Sequence, residues 1–165
     1  MIFETERLIV RKLIFDDITA FHEMQSNPKV MQFATGEVKT LEEHSIEIKD
    51  LIFKYDVPSN DFWIYAIIKK SDMQFVGTVA LVKDKNDDEI GYRFLEKYWG
   101  NGYATETCKG LIKYCKGLKI SKLIACAVDK NIPSVKILEK LNFKPIKKFI
   151  SDDIKLPETK YQLIL

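Results

Sequence analysis

Polar and apolar residues interleave over residues 7–13, which predicts a first strand. Asp16 and Asp17 are placed to cap a helix running to about Ser26, where Asn27-Pro28 ends it. Leu41, Ile48, Leu51, Ile52 and Tyr55 recur at helical spacing and predict a second helix over residues 41–55. Residues 56–61 read as a loop. Apolar runs at residues 62–69 and 75–83 read as strands joined by a turn near Ser71-Asp72. A charged connection over residues 83–88 leads into a strand over 89–95.

The clearest helix covers residues 104–118. Ala104, Cys108, Leu111, Ile112, Cys115 and Leu118 form its apolar face, with Thr105, Lys109, Lys113 and Lys116 opposite. Residues 123–128 are continuously apolar, as in a strand covered on both faces. A short helix over 133–141 follows. Strands over 143–150 and 161–165 close the chain, separated by an acidic, Pro-containing loop. The order of elements predicts a mixed α/β sheet with helices on both faces.

The length of 165 residues predicts one domain over 1–165. Apolar residues at 46% and charged residues at 30% are ordinary for a globular chain able to bury a core without staples. The net charge of +2, carried mostly by lysine, does not suggest a nucleic-acid-binding face. Glu4, Glu6 and Arg7 interrupt any leader-like run, and the longest apolar stretch, residues 62–68, is too short to span a bilayer. A cytoplasmic, non-membrane protein is expected. Cys108, Cys115 and Cys126 read as small buried apolar residues in a reducing compartment. His22 and His44 lack metal-ligand spacing and read as surface residues, and no Cys/His cluster suggests a metal.

The run Lys97-Tyr98-Trp99-Gly100-Asn101-Gly102-Tyr103-Ala104-Thr105-Glu106 lies between a predicted strand and the clearest helix. Gly100 and Gly102 can turn the chain tightly, so that several N–H groups converge on an anion at the helix N-terminus. The run therefore reads as a phosphate cradle.

With Thr5-Glu6-Arg7-Leu8-Ile9-Val10-Arg11, Glu89-Ile90-Gly91-Tyr92, Asn131-Ile132-Pro133-Ser134 and Glu139-Lys140-Leu141-Asn142-Phe143, this run resembles the GNAT superfamily of acetyl-CoA-dependent N-acetyltransferases. The resemblance is greatest to the branch that acetylates the N-terminal alanine or serine of ribosomal proteins. It implies an α/β (α+β) fold: a central mixed, mostly antiparallel sheet of about seven strands, with helices on both faces and a splayed pair of strands for CoA. Lys97 stands where the family usually has Gln or Arg. Asn142 stands where it usually has Gly, and Asn tolerates left-handed angles.

The resemblance also implies roles. Pyrophosphate would rest on N–H groups from Gly100 to Ala104, with Lys97, Trp99, Asn101 and Thr105 around them. Gly91 fits a bulge that starts the splay, and free N–H groups near Arg93, Phe94 and Leu95 would meet the pantetheine arm or the thioester oxygen. Asn131 would bond the arm and also suits a helix cap. Ser134 is expected to protonate the leaving thiolate, with Tyr103 and Tyr92 as rivals. Glu89 is the first candidate for general base and Asp88 the second, while Glu106 reads as structural. Lys136 and Lys140 are candidates for the nucleotide end or simply a wet helix face.

The acceptor pocket is expected from residues 28–36 and 41–55. Met31, Phe33 and Tyr55 are lining candidates, and Trp63 is assigned to the core. The expected reaction is direct attack of a primary amine on acetyl-CoA, with a protein N-terminus as acceptor and a homodimer possible. A polyamine or aminoglycoside acetyltransferase and a non-catalytic CoA-binding module are the alternatives.

Overall fold

A computed structural model of the chain describes residues 1–34 and 38–165. Strands β1 (Phe3–Glu4) and β2 (Leu8–Lys12) lead to helices α1 (Ile18–Gln25), α2 (Pro28–Met31) and α3 (Leu41–Lys54). Strands β3 (Phe62–Lys69), β4 (Gln74–Asp84) and β5 (Asp87–Phe94) form a meander. Helix α4 (Tyr103–Gly117), β6 (Lys122–Val128), α5 (Ile132–Lys140), β7 (Lys144–Ile150) and β8 (Pro157–Ile164) complete the fold. Among the described residues the sheet has eight strands in the order β1-β2-β3-β4-β5-β6-β8-β7. All neighbours are antiparallel except β5 and β6.

The expectation of a mixed, mostly antiparallel sheet holds, with β1 as the added strand. The parallel pair β5–β6 is joined through α4, the crossover that a parallel connection requires. It pairs only at Asp88↔Leu123 and Glu89↔Ile124. Beyond those positions β5 stays in register with β4 as far as Gly77↔Phe94, and β6 stays with β8. The two strands therefore part as a V, the expected splay.

Local signals set the helices. Thr40 and Glu43 close a reciprocal capping box on α3, with bonds of 3.2 and 2.7 Å. Pro28, read as a helix stop, begins α2 behind the cap Asn27, because proline suits a first helical turn. Asp17 does not cap α1 through its side chain. Its buried carboxylate takes the Arg11 guanidinium in two 2.8 Å bonds and the Ile14 N–H at 3.0 Å, tying β2 to the start of α1. Asn142 ends α5 with φ +66°, a left-handed angle, as expected.

One core joins these layers. Phe21 and Met24 of α1, Ile48 and Leu51 of α3, Ala66–Ile68 of β3 and Leu111 of α4 are buried in it. Trp63 packs against this core, stacked near Tyr55 and Tyr65.

Candidate active site

The site begins at the turn from β5 to α4. Gly100 has φ +76° and Gly102 φ +77°, angles that cost a residue with a β-carbon. Gly102 is the N-cap of α4. No described residue accepts a hydrogen bond from the N–H groups of residues 100–105. The turn is braced from within. Asn101 Nδ2 donates to the Tyr98 and Trp99 carbonyls at 3.0 and 3.1 Å, and Trp99 Nε1 donates to the Phe94 carbonyl at 2.9 Å. Unpartnered N–H groups at the positive end of a 15-residue helix can receive an anion.

A second brace comes from the N-terminal segment. Glu106 accepts from Thr5 Oγ1 (2.5 Å), the Arg7 N–H (2.8 Å) and Arg7 Nε (2.7 Å). These bonds hold its carboxyl below the usual range against the opposing effect of burial. Glu106 is thus structural, as read, but through a latch between distant segments rather than through helix position alone. The latched Arg7 guanidinium lies 4.7 Å from the Tyr103 ring centroid, at the rim of the cradle. Lys97 extends instead toward Glu23, at 3.2 Å.

The mouth of the V opens on a cavity of about 400 Å³. Glu89, Gly91 and Arg93 of β5, Cys126 of β6, Ser134 of α5 and Glu158 of β8 are among its lining residues. Glu89 occupies the last paired position, at the vertex. Its side chain shares a strand face with Gly91 and Arg93, since alternate residues project to the same side. Arg93 Nη1 bonds Gln25 Oε1 of α1 at 2.7 Å. On the opposite face Tyr92 Oη donates to Ser134 Oγ of α5 at 3.1 Å. The gap between β5 and β6 joins these two sides of the sheet.

Burial, with Asp84 and Asp87 nearby, pushes the Glu89 carboxyl up. A carboxylate with a raised pKa is a better base near neutral pH. Asp88, the other candidate, points to the opposite side of β5, bonds Lys83 at 2.7 Å and does not line the cavity. Burial raises the Tyr92 hydroxyl as well, so it keeps its proton and stays a donor. Tyr103 does not line the cavity; its ring lies by Arg7 and Tyr98.

Several expectations change. Gly91 is not a bulge: β4 and β5 keep register through Ala80↔Gly91, and the V opens by loss of pairing to β6. The Leu95 N–H is not free; it donates to the Val76 carbonyl at 3.0 Å. Antiparallel alternation then turns the Arg93 N–H toward β4 and leaves those of Tyr92 and Phe94 on the gap side. Asn131 caps α5 as expected, its Oδ1 accepting from Ser134 N at 3.4 Å. Phe33 lines the cavity, Met31 is buried, Tyr55 bonds Leu13 N and the Ile64 carbonyl, and Gly36 lies outside the described residues.

Cys126 is not a buried core residue like Cys108 and Cys115. It is half-buried in the cavity, its thiol pushed up to about 12 by burial and by Glu89 and Glu158. His44 is not on the surface: it is 2% exposed, with its Nδ1 2.7 Å from that of His22. Sequence reading missed Arg93 as a side chain, Glu158 and Cys126 as cavity residues, and Arg7 as a neighbour of the cradle.

Residues 7–144 match the family model described as Acetyltransferase (GNAT) domain. An uncharacterized N-acetyltransferase of Bacillus licheniformis, p20, is 29% identical over 148 residues, 85% of this chain and 80% of its own length. A GNAT-family acetyltransferase structure from Bacillus anthracis superposes with a TM-score of 0.86 at 26% identity, covering 98% of this chain and 97% of that one. The structure of RimL, a ribosomal L7/L12 alpha-N-protein acetyltransferase in complex with coenzyme A, has a TM-score of 0.83 at 16% identity, covering 98% and 96%. At that identity the likeness is one of fold.

Proposed function

The chain belongs to the GNAT acetyltransferase family, and from that premise we propose that it acetylates the N-terminal amine of a protein. It is an acetyl-CoA-dependent N-acetyltransferase. Acetyl-CoA supplies the acyl group as a thioester. No group of His, Cys, Asp or Glu that could hold a metal is present among the described residues.

The chain fits this co-substrate on its own geometry. The unpartnered N–H groups of residues 100–105 suit a diphosphate, and the V between β5 and β6 suits a narrow arm with amides. The gap-side N–H of Phe94 is placed to bond such an arm, and the Asn131 Nδ2, unused by the cap, can do the same. Glu89, at the vertex, takes the proton that the attacking ammonium must lose. Ser134 accepts from Tyr92, so its own hydroxyl hydrogen is left to donate to the departing sulfur. Tyr92, whose proton burial holds in place, keeps the Ser134 hydroxyl oriented through the same bond.

Arg93 is the observation that carries the choice of acceptor. The Arg93 guanidinium, on the same cavity face as Glu89, offers a donor fork to the carbonyls and carboxylates of a peptide, groups that polyamines and aminoglycosides lack. An N-terminal α-amine also suits a carboxylate base. Its pKa of about 7.7–8.0 lies far below that of lysine, about 10.4.

Thiol release from acetyl-CoA across an amine panel tests it. Peptides with free α-amines are expected to turn over, and α-blocked peptides containing lysine are not. Faster turnover of spermidine or an aminoglycoside than of any peptide would overturn the assignment.

A further inference from the structure

Arg93 is an unusual residue to place on the wall of an acceptor cavity. It projects from β5 on the same face as Glu89, four residues and about 13 Å along the strand. The one described hydrogen bond of its side chain is to a neutral amide, Gln25 Oε1 at 2.7 Å, and no described carboxylate lies within ion-pair distance. The nearest acidic influence is Glu47 of α3, which also lines the cavity and is bonded to Lys39 at 2.9 Å. A guanidinium carries five N–H donors and Gln25 takes one described bond from them, so donors are left for a ligand in the cavity that Arg93 lines. Burial disfavours its charge, and a bound anion would offset that cost.

The two ends of the cavity are therefore opposite in chemistry. Glu89, with Glu158 beside Cys126, makes an acidic end that suits an amine. Arg93, near a Glu47 that is itself paired with Lys39, makes an end with a planar fork that suits a carboxylate. A single amino acid cannot bridge them, because its amine and carboxylate sit on one carbon. An extended peptide advances about 3.3 Å per residue, so its second to fourth side chains reach the Arg93 end when its amine is at Glu89.

We infer that Arg93, positioned by Gln25, selects acceptor N-termini bearing an Asp or Glu at the second, third or fourth residue. This rests on the reading of the acceptor as a protein N-terminus. It adds a specificity-determining residue and a sequence preference to that reading.

C-terminally amidated tetrapeptides beginning with serine test it, with Glu, Gln or Lys scanned through positions two to four. At the best position the Glu peptide is expected to exceed its Gln counterpart in kcat/KM by about tenfold, the worth of one charge-assisted bond, and the Lys peptide by more. Arg93→Gln should collapse the Glu/Gln ratio to near one, through KM more than kcat. Gln25→Glu, which offers Arg93 an internal carboxylate, should collapse it as well. Calorimetry with CoA on each variant confirms that the cofactor side is intact.

Equal rates for Glu and Gln peptides at all three positions would overturn the assignment while leaving N-terminal acetylation standing. So would a preference that survives both variants. Failure of every peptide, with turnover of a small amine, would overturn this inference and the N-terminal reading together.

Discussion

The cradle and the acceptor cavity are built in opposite ways. The cradle is made of main chain from one short segment, residues 98–106, with two glycines at positive φ and an asparagine bracing the turn. The cavity is lined by residues from β3, β4, β5, β6, β8, α1, α2, α3 and α5, brought together only by the sheet and its parting. A ligand that is the same in every turnover can be held by backbone amides. A variable acceptor must be read by side chains, and those are free to change without disturbing the turn.

Breaking the cavity's chemistry should have the largest effect. Glu89→Gln is expected to lower kcat/KM by about 100-fold or more, the usual contribution of a general base. Glu89 must be ionised to act, and its pKa is raised, so wild-type activity falls with acid at a pH above the ordinary carboxylate range. The variant should lose that acid limb, leaving only the titration of the amine in its pH–rate profile. An unchanged profile would remove Glu89 from the mechanism.

Breaking the cradle comes next. Gly102→Val places a β-branched residue at φ +77°, a strain of about 1–3 kcal/mol that reshapes the seat. CoA affinity by calorimetry should fall by about tenfold to 100-fold, with the circular dichroism spectrum retained. Gly102→Asn should lose much less, since asparagine accepts left-handed angles. A Cβ there would meet Arg7 Nη2 at 3.6 Å, an ordinary contact, so steric collision with the fold is not the cause. Equal losses for Val and Asn would show that backbone angle is not what matters.

Ser134→Ala sharpens the boundary between the two regions, because Ser134 lines the cavity from α5 and bonds Tyr92 of β5. A loss of about tenfold in kcat with near-normal CoA affinity is expected, the scale of one hydrogen bond to a developing charge. Similar small losses in both would reduce Ser134 to a residue of the α5 cap.

The smallest effect concerns stability. His44 is buried against His22, and burial lowers its pKa. As pH falls through about 6.5, the unfolded chain takes up a proton that folded His44 resists, so the folded state loses stability. The facing Nδ1 atoms, 2.7 Å apart, also cannot both carry a proton. The Tm should drop by a few degrees between pH 7 and pH 5.5, and less so in His44→Gln. A Tm independent of pH in that range would contradict the buried pair.

The same contrast explains what the sequence revealed. The cradle is local, so its glycines and its helix were legible in consecutive residues, as was the α5 cap at Asn131. The splay itself was foreseen only through family resemblance, because pairing between β5 and β6 depends on strands separated by α4. Glu158 was hidden because Pro157 and its polar neighbours look like loop. They form the start of β8 because a proline at a first strand position gives up no ladder bond. His44 was misplaced because α3 buries it on the same side as Ile48 and Leu51, and a histidine weakens an apolar stripe. Arg93 alternates with apolar residues as an exposed strand residue would, and only α1 lying over that face turns it inward.

A crystal structure with CoA bound tests the central claim most directly. The account predicts the diphosphate within hydrogen-bonding distance of the N–H groups of residues 100–105. It also predicts the arm between β5 and β6, and the sulfur beside Ser134 Oγ with Glu89 across the gap. A diphosphate held elsewhere, or an arm lying outside the V, would contradict it.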